Sequence, residues 1–199
     1  MENYQKTELT LYTYFRSSTT WRVRILLHHK KLAVNYKFIH LAKGEQKSEE
    51  FGKVNPNHGV PALVLPTGET LIESMAICEY LEEIYPENSL LPKDAIKKAQ
   101  VRGFCEVVNS GMHPYQNLRL LEKVGNDQAS RIKFGAEWVQ RGMKTFEAML
   151  EKTKGKYCFG DEVTLADAFF YPQVLGGIAR FGVNIDDFPL CKEVLKNLQ

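Results

Sequence analysis

No two of the four cysteines (Cys78, Cys105, Cys158 and Cys191) lie within four residues of one another, so a Cys-x-x-Cys redox pair and a zinc knuckle are both excluded. The five histidines, His28, His29, His40, His58 and His113, form no His-x-x-x-His pair, and no metal site is expected. An excess of one charge is also lacking. The 26 Lys and Arg stand against 24 Asp and Glu, a net +2, without the basic stripe that a nucleic-acid partner would need. No apolar run approaches the roughly 18 residues of a membrane helix. The richest stretch, 166–183, is interrupted by Asp167, Pro172 and Arg180. The polar start, Met1 to Lys6, has no apolar core, so a secretory signal is not expected. Four reduced, mostly buried thiols in a cytoplasmic protein are the corresponding expectation. Core material is plentiful: 44% of the 199 residues are hydrophobic, including 2 Trp, 9 Tyr and 11 Phe, which excludes disorder and suits one large domain or two small ones.

The first half alternates strand and helix signals. Leu9 to Phe15 reads as a strand, followed by the hydroxyl-rich loop Ser17-Ser18-Thr19-Thr20 and a helix from Trp21 to Lys30. Val34, Tyr36 and Phe38 alternate with polar residues in a second strand to about His40, and the charged segment Lys43 to Lys53 reads as loop plus a short surface helix. Asn55-Pro56-Asn57-His58-Gly59 is turn chemistry before a strand Val60 to Leu65. Thr67-Gly68-Glu69 turns a hairpin into a short strand, Thr70 to Ile72. Ser74 is placed as N-cap of a helix from Met75 to Tyr85. The order is β-α-β-α-β-β-α. A Pro-bounded linker, Pro86 to Pro92, separates this α/β domain (7–87) from an all-α domain (93–199). In the second, helical patterns cover 95–123, 128–152, 165–181 and 189 to the end, with Gly111, Pro114 and Pro172 as kinks or breaks and Thr164 with Asp167 as a capping box.

Three features offer chemistry. Ser17 to Thr20 stands where a strand hands over to a helix, a place where free N–H groups and the helix dipole favour an anion. Simple helix capping is the alternative, but it uses one or two hydroxyls and not four. A cis Val60–Pro61 bond would leave the Val60 N–H and C=O free to pair with an extended peptide, whereas a trans proline on an edge strand would not. Glu73-Ser74, at another helix start, offers a partner for an amine and for a carboxylate, or else a plain N-cap. Together they suit a small zwitterionic peptide thiol. Lowering a thiol pKa from about 8.5 to about 6.5 requires roughly 2.7 kcal/mol. One hydroxyl donating to the sulfur anion supplies about 1.5–3 kcal/mol and the helix dipole about 0.3–1 kcal/mol, so no base is required.

Ser17-Ser18-Thr19-Thr20-Trp21-Arg22-Val23-Arg24-Ile25 closely resembles the zeta-class glutathione transferase signature Ser-Ser-Cys-x-Trp-Arg-Val-Arg-Ile. Asn55-Pro56 with Val60-Pro61, Glu73-Ser74, Pro114 to Leu118, and Gly160 to Asp167 are similar to that family too. The resemblance implies a thioredoxin-like N-terminal domain, an all-helical C-terminal domain, a homodimer, and glutathione as cofactor. It implies maleylacetoacetate isomerase activity in tyrosine and phenylalanine breakdown: thiolate addition makes the cis double bond single, rotation follows, and elimination leaves the trans product. It places Ser17 at the glutathione sulfur, with Ser18, Thr19 and Arg22 lining the same loop. Gln46, Val60, Glu73 and Ser74 match glutathione contacts, as do His113 and Asn117 from the helical domain. Arg180, with Arg16 or Arg22 nearby, matches an anchor for the carboxylates of a dicarboxylate substrate.

The chain departs from the family at two of these positions. Thr19 replaces the family's cysteine; it donates a hydrogen bond but forms no mixed disulfide. His113 stands where relatives commonly carry Gln and would make binding pH-sensitive between about 5 and 8. The last helix runs to the end of the sequence, where relatives often carry a longer tail, and a more open pocket is the expectation. Thr19 and that ending keep a broader transferase open as an alternative: conjugation, α-haloacid dehalogenation or peroxidase activity. A non-catalytic binding module is the third reading. No nucleic acid and no membrane enters any of them.

Overall fold

Every second residue of Leu9, Leu11 and Thr13 is buried, and this alternation sets strand β1 (Thr10–Thr13) into the middle of a sheet. The computed structural model describes residues 4–199, which divide into two units, one ending at Ser89 and one starting at Leu90. In the first, β1 pairs in parallel with β2 (Asn35–Phe38) and antiparallel with β3 (Ala62–Val64), and β3 pairs antiparallel with β4 (Thr70–Ile72). The sheet order is β2-β1-β3-β4. The parallel pair is joined by helix α1 (Ser18–His29), which packs on helix α3 (Ser74–Ile84); Val23, Leu26 and Leu27 of the first and Ile77, Cys78 and Leu81 of the second are buried. Helix α2 (Glu49–Val54) is short, its first turn capped by Ser48 Oγ accepting from Phe51 N at 3.2 Å. Strand, helix and hairpin thus follow the order read from the sequence.

Three local expectations change. The first helix starts at Ser18, three residues before Trp21, so the hydroxyl-rich loop is mostly the first turn of α1. Ser74 is the first helical residue of α3 and Glu73 occupies the cap position, with φ +69° and no side-chain cap bond. β2, at one edge of the sheet, buries no residue despite its alternation: Tyr36 is 44% exposed and Phe38 69%.

One polar pair is sealed inside this unit. Lys30 Nζ lies 3.1 Å from Glu82 Oε1, both side chains almost fully buried, and it also donates to the Tyr85 carbonyl at 2.6 Å. It ties the end of α1 to the end of α3.

The second unit is helical. Helix α4 (Ala95–Gly111) ends where Gly111 and Pro114 predict a break. A 3₁₀ turn, His113–Gln116, follows, and then α5 (Leu118–Val124), so the 95–123 pattern is two helices. The long α6 (Gln128–Thr153), α7 (Leu165–Phe181) and α8 (Pro189–Asn197) complete it, and α7 runs on through Pro172. Phe146 of α6 joins the core rings, 4.7 Å from Phe104 of α4 and 4.8 Å from Phe170 of α7 between centroids. Gly135 lets α6 approach α7: a Cβ there would lie 2.2 Å from the Phe181 ring. Buried Asp167 accepts from Thr164 N at 2.8 Å, Thr164 Oγ1 at 3.0 Å and Cys158 N at 2.9 Å, which fixes the start of α7. All four cysteines are free and buried. Among the described residues no helix is long and apolar enough to cross a membrane.

Candidate active site

The β1–α1 junction is organised by its hydroxyls. Ser17 is the N-cap of α1, and its Oγ accepts from Thr20 N at 3.3 Å. Thr20 is buried and shares its proton between the carbonyls of Tyr14 (3.1 Å) and Ser17 (3.0 Å). Thr19 Oγ1 donates to the Val60 carbonyl at 3.0 Å and lies 2.8 Å from Ser17 Oγ. The hydroxyls of Ser17, Thr19 and Thr20 therefore carry structural bonds, more than the one or two that capping uses. Ser17, Ser18 and Thr19 are only half-buried, and the first turn of α1 holds no acidic residue, which leaves its dipole free to favour an anion. Arg16 is exposed in the turn just before them.

The Val60–Pro61 bond is cis. The expectation that both Val60 backbone groups stand free is half met. The carbonyl already accepts from Thr19 and keeps one lone pair, while the N–H has no partner among the described residues. Asn55, buried, holds the preceding turn: Nδ2 donates to the Gly59 carbonyl at 2.7 Å and Oδ1 accepts from Asn57 N at 2.8 Å. His58 Nδ1 pairs with the Gln46 carbonyl at 2.7 Å, and Asn57 Nδ2 donates to Glu73 Oε1 at 3.4 Å. This turn, just before Val60, thus links Gln46 and Glu73. The Asn-x-Asn spacing of an Asx turn at 55–57 is the sequence signal for this bracing.

Arg22 is fully buried, and its Nη1 donates to Ser74 Oγ at 3.1 Å. The guanidinium supports Ser74 from within the unit and has no surface for lining the loop or taking a substrate carboxylate. Because Ser74 accepts from Arg22, its own proton remains available for an acceptor. The N–H groups of Ser74 and Met75 open the uncapped first turn of α3 beside the exposed Glu73 carboxylate. Gln46 adds a buried Oε1 with no hydrogen-bond partner. Cys78, one turn into α3, is no nucleophile: burial pushes its thiol up to about 12 despite nearby Arg22.

In the helical unit, half-buried His113 opens the 3₁₀ turn, and Asn117 caps α5 through Oδ1, which accepts from Arg119 N at 3.0 Å. Arg180, near the end of α7, is exposed; its Nη2 donates to the Gln116 carbonyl at 3.4 Å and its guanidinium lies 5.0 Å from the Phe181 ring. The fold brings Arg180 and the 113–117 turn together across 64 residues of chain. Among the described residues no group of three or more His, Cys, Asp or Glu side chains is placed to hold a metal ion.

Residues 7–83 match the glutathione S-transferase N-terminal domain and residues 112–199 the glutathione S-transferase C-terminal domain. The chain is 42% identical to probable maleylacetoacetate isomerase 2 of Drosophila melanogaster, over 95% of this chain and 82% of that protein. It is 44% identical to a zeta-class glutathione S-transferase of Euphorbia esula, over 96% and 85%. A maleylacetoacetate isomerase from Methylobacterium extorquens AM1, solved with malonate and glutathione bound, superposes with a TM-score of 0.90 at 31% identity, covering 95% of this chain and 91% of that one. The chain belongs to the glutathione S-transferase family.

Proposed function

We propose that this protein is a glutathione-dependent cis–trans isomerase that converts maleylacetoacetate to fumarylacetoacetate in tyrosine and phenylalanine breakdown. The observation that carries the reading is the half-buried Ser17 hydroxyl at the N-terminus of α1, hydrogen-bonded to Thr19 and through it to the backbone of cis Val60–Pro61. Relatives about 42% identical carry the isomerase name.

The donor and acceptor set fits glutathione. Val60 offers an N–H and a carbonyl lone pair to a peptide. Glu73 offers a carboxylate to an amine, while Ser74 O–H and the first N–H groups of α3 suit a carboxylate. Gln46 Oε1 is a buried acceptor in need of a donor. Ser17 and the dipole of α1 hold a negative sulfur. His113 and Asn117 are further glutathione contacts in this reading, carried by the family resemblance. When bound, glutathione supplies a sulfur nucleophile that adds to and leaves the substrate's conjugated double bond, so that rotation occurs about a single bond. The protein's part is to keep that sulfur ionised at neutral pH and to anchor the substrate. Arg180, an exposed guanidinium, matches one carboxylate of a dicarboxylate, with Arg16 as a further cation. Ser18 and Thr19 complete the catalytic turn. A cytoplasmic homodimer belongs to the same reading.

Isomerisation of maleylacetoacetate or maleylacetone, followed with and without glutathione, tests it. Turnover is expected only with glutathione. In Ser17→Ala the bound thiol should titrate about one to two pH units higher, the loss of a roughly 1.5–3 kcal/mol charged hydrogen bond. Turnover without glutathione, or an equally active Ser17→Ala, overturns the assignment. Thr19, unable to form a mixed disulfide, favours the broader transferase as second reading; α-haloacid turnover without isomerisation would establish it. Glutathione binding with neither activity would indicate a binding module.

A further inference from the structure

The hydroxyl pair Ser17 and Thr19 has a direction that proton counting fixes. A threonine hydroxyl has one proton and a carbonyl has none to give. The proton of Thr19 goes to the Val60 carbonyl at 3.0 Å, so in the 2.8 Å contact between Thr19 Oγ1 and Ser17 Oγ the donor is Ser17. Ser17 Oγ in turn accepts from Thr20 N. The bonds form one chain, Thr20 N–H to Ser17 O–H to Thr19 O–H to Val60 C=O. In this state the only proton of Ser17 is committed to Thr19 and none is presented to an anion.

For Ser17 to donate to a sulfur anion, its O–H must turn away from Thr19. The bond between the two hydroxyls survives only if Thr19 turns as well and donates back to Ser17. That leaves the Val60 carbonyl without its donor unless a peptide N–H already occupies its second lone pair; two donors on one carbonyl weaken each other, so the bound peptide loosens Thr19. A peptide N–H arriving at Val60 replaces what Thr19 withdraws, and a Ser17 hydroxyl that itself receives a hydrogen bond is the stronger donor. We propose that Thr19 is a positioning residue, a two-state hydroxyl relay that couples a peptide N–H bound at the Val60 carbonyl to presentation of the Ser17 hydroxyl to a sulfur anion. The proposal rests on the glutathione site proposed above. No O–H bond is broken: two hydroxyls rotate, and the ligand thiol loses its proton to water. A cysteine, whose S–H is a weak donor, would run this relay poorly, so the relay belongs to the threonine of this chain.

The test compares glutathione with its ester analogue, in which oxygen replaces the cysteinyl N–H. Each is titrated in the bound state by thiolate absorbance in the ultraviolet. In the unmodified protein, bound glutathione should ionise at a pH about 0.5–1 lower than the bound ester, a roughly three- to tenfold difference in ionisation constant. Thr19→Val, and Thr19→Ala should the valine variant not fold, should bring the two ligands to within about 0.2 pH units, while Thr19→Ser restores the difference. A difference that persists without the hydroxyl, or none in the unmodified protein, overturns the relay. If both ligands titrate as free thiols, at about pH 8.5, the glutathione reading itself fails, and the relay with it.

Discussion

Glu73 holds a backbone conformation that side-chain-bearing residues avoid, φ +69° and ψ 120°, at the cap of α3. Such a residue costs about 1–3 kcal/mol, and the strain is retained where the position serves a ligand. It follows that Glu73→Gly should be more stable than Glu73→Ala by about 1–2 kcal/mol in urea unfolding, the reverse of the order in ordinary positions. Both should weaken glutathione binding by about tenfold or more in calorimetry, since a charged acceptor for the amine is lost. An alanine variant as stable as the glycine one would show that the conformation costs nothing. Ser17 likewise does two things: it accepts from Thr20 N as a cap and, with its one proton, donates to Thr19. Capping, one of the two alternatives posed for the sequence, uses only a lone pair of the Ser17 oxygen, so it does not compete for the proton that an anion would need.

The ends of α1 and α3 are joined by the buried Lys30–Glu82 pair. Removing one partner leaves an uncompensated charge in the interior. Lys30→Met should therefore lower the stability of the N-terminal unit by about 3–5 kcal/mol in denaturant, whereas the double variant Lys30→Met/Glu82→Met should recover most of it. Equal losses in the single and double variants would show that packing alone matters there. At this level much was legible in advance. The turn residues Asn55 to Gly59 and Thr67 to Glu69 punctuate the strands, and Gly111 with Pro114 breaks the first long helix. The start of α1 was not, because Ser18, Thr19 and Thr20 have poor helix propensity and turn helical under a cap that must be in place first. The exposure of Tyr36 and Phe38 was hidden for another reason: alternation shows that a strand has two faces, not whether anything covers them.

Across both units the four thiols are buried, Cys78 on α3 and Cys105, Cys158 and Cys191 among the later helices. Burial raises Cys78 to about 12 and also raises Cys158 and Cys191, the carboxylates of Asp167 and Glu147 adding to the effect on the latter two. The sign for stability follows. Their contribution is complete below the unfolded thiol pKa of about 8.5 and is lost as pH rises toward the folded values, because only the unfolded chain ionises in that window. Stability should thus decline steadily from about pH 8.5 upward in denaturant titrations, and a thiol reagent should label the native protein slowly but all four cysteines in denaturant. Rapid native labelling would contradict the burial.

Residue order alone was enough to place a strand-to-helix junction rich in hydroxyls, a proline at a strand start and an acidic-serine pair at a later helix start, because turn chemistry and periodicity act over a few residues. What those groups bind was decided elsewhere. Thr19 meets Val60 across 41 residues of chain and Arg22 meets Ser74 across 52. Such bonds depend on sheet register and on how α1 and α3 pack, which no local pattern encodes. Hence Arg22, beside the loop in sequence, ends as a buried support, and Thr19 becomes the bridge between the helix cap and the peptide edge.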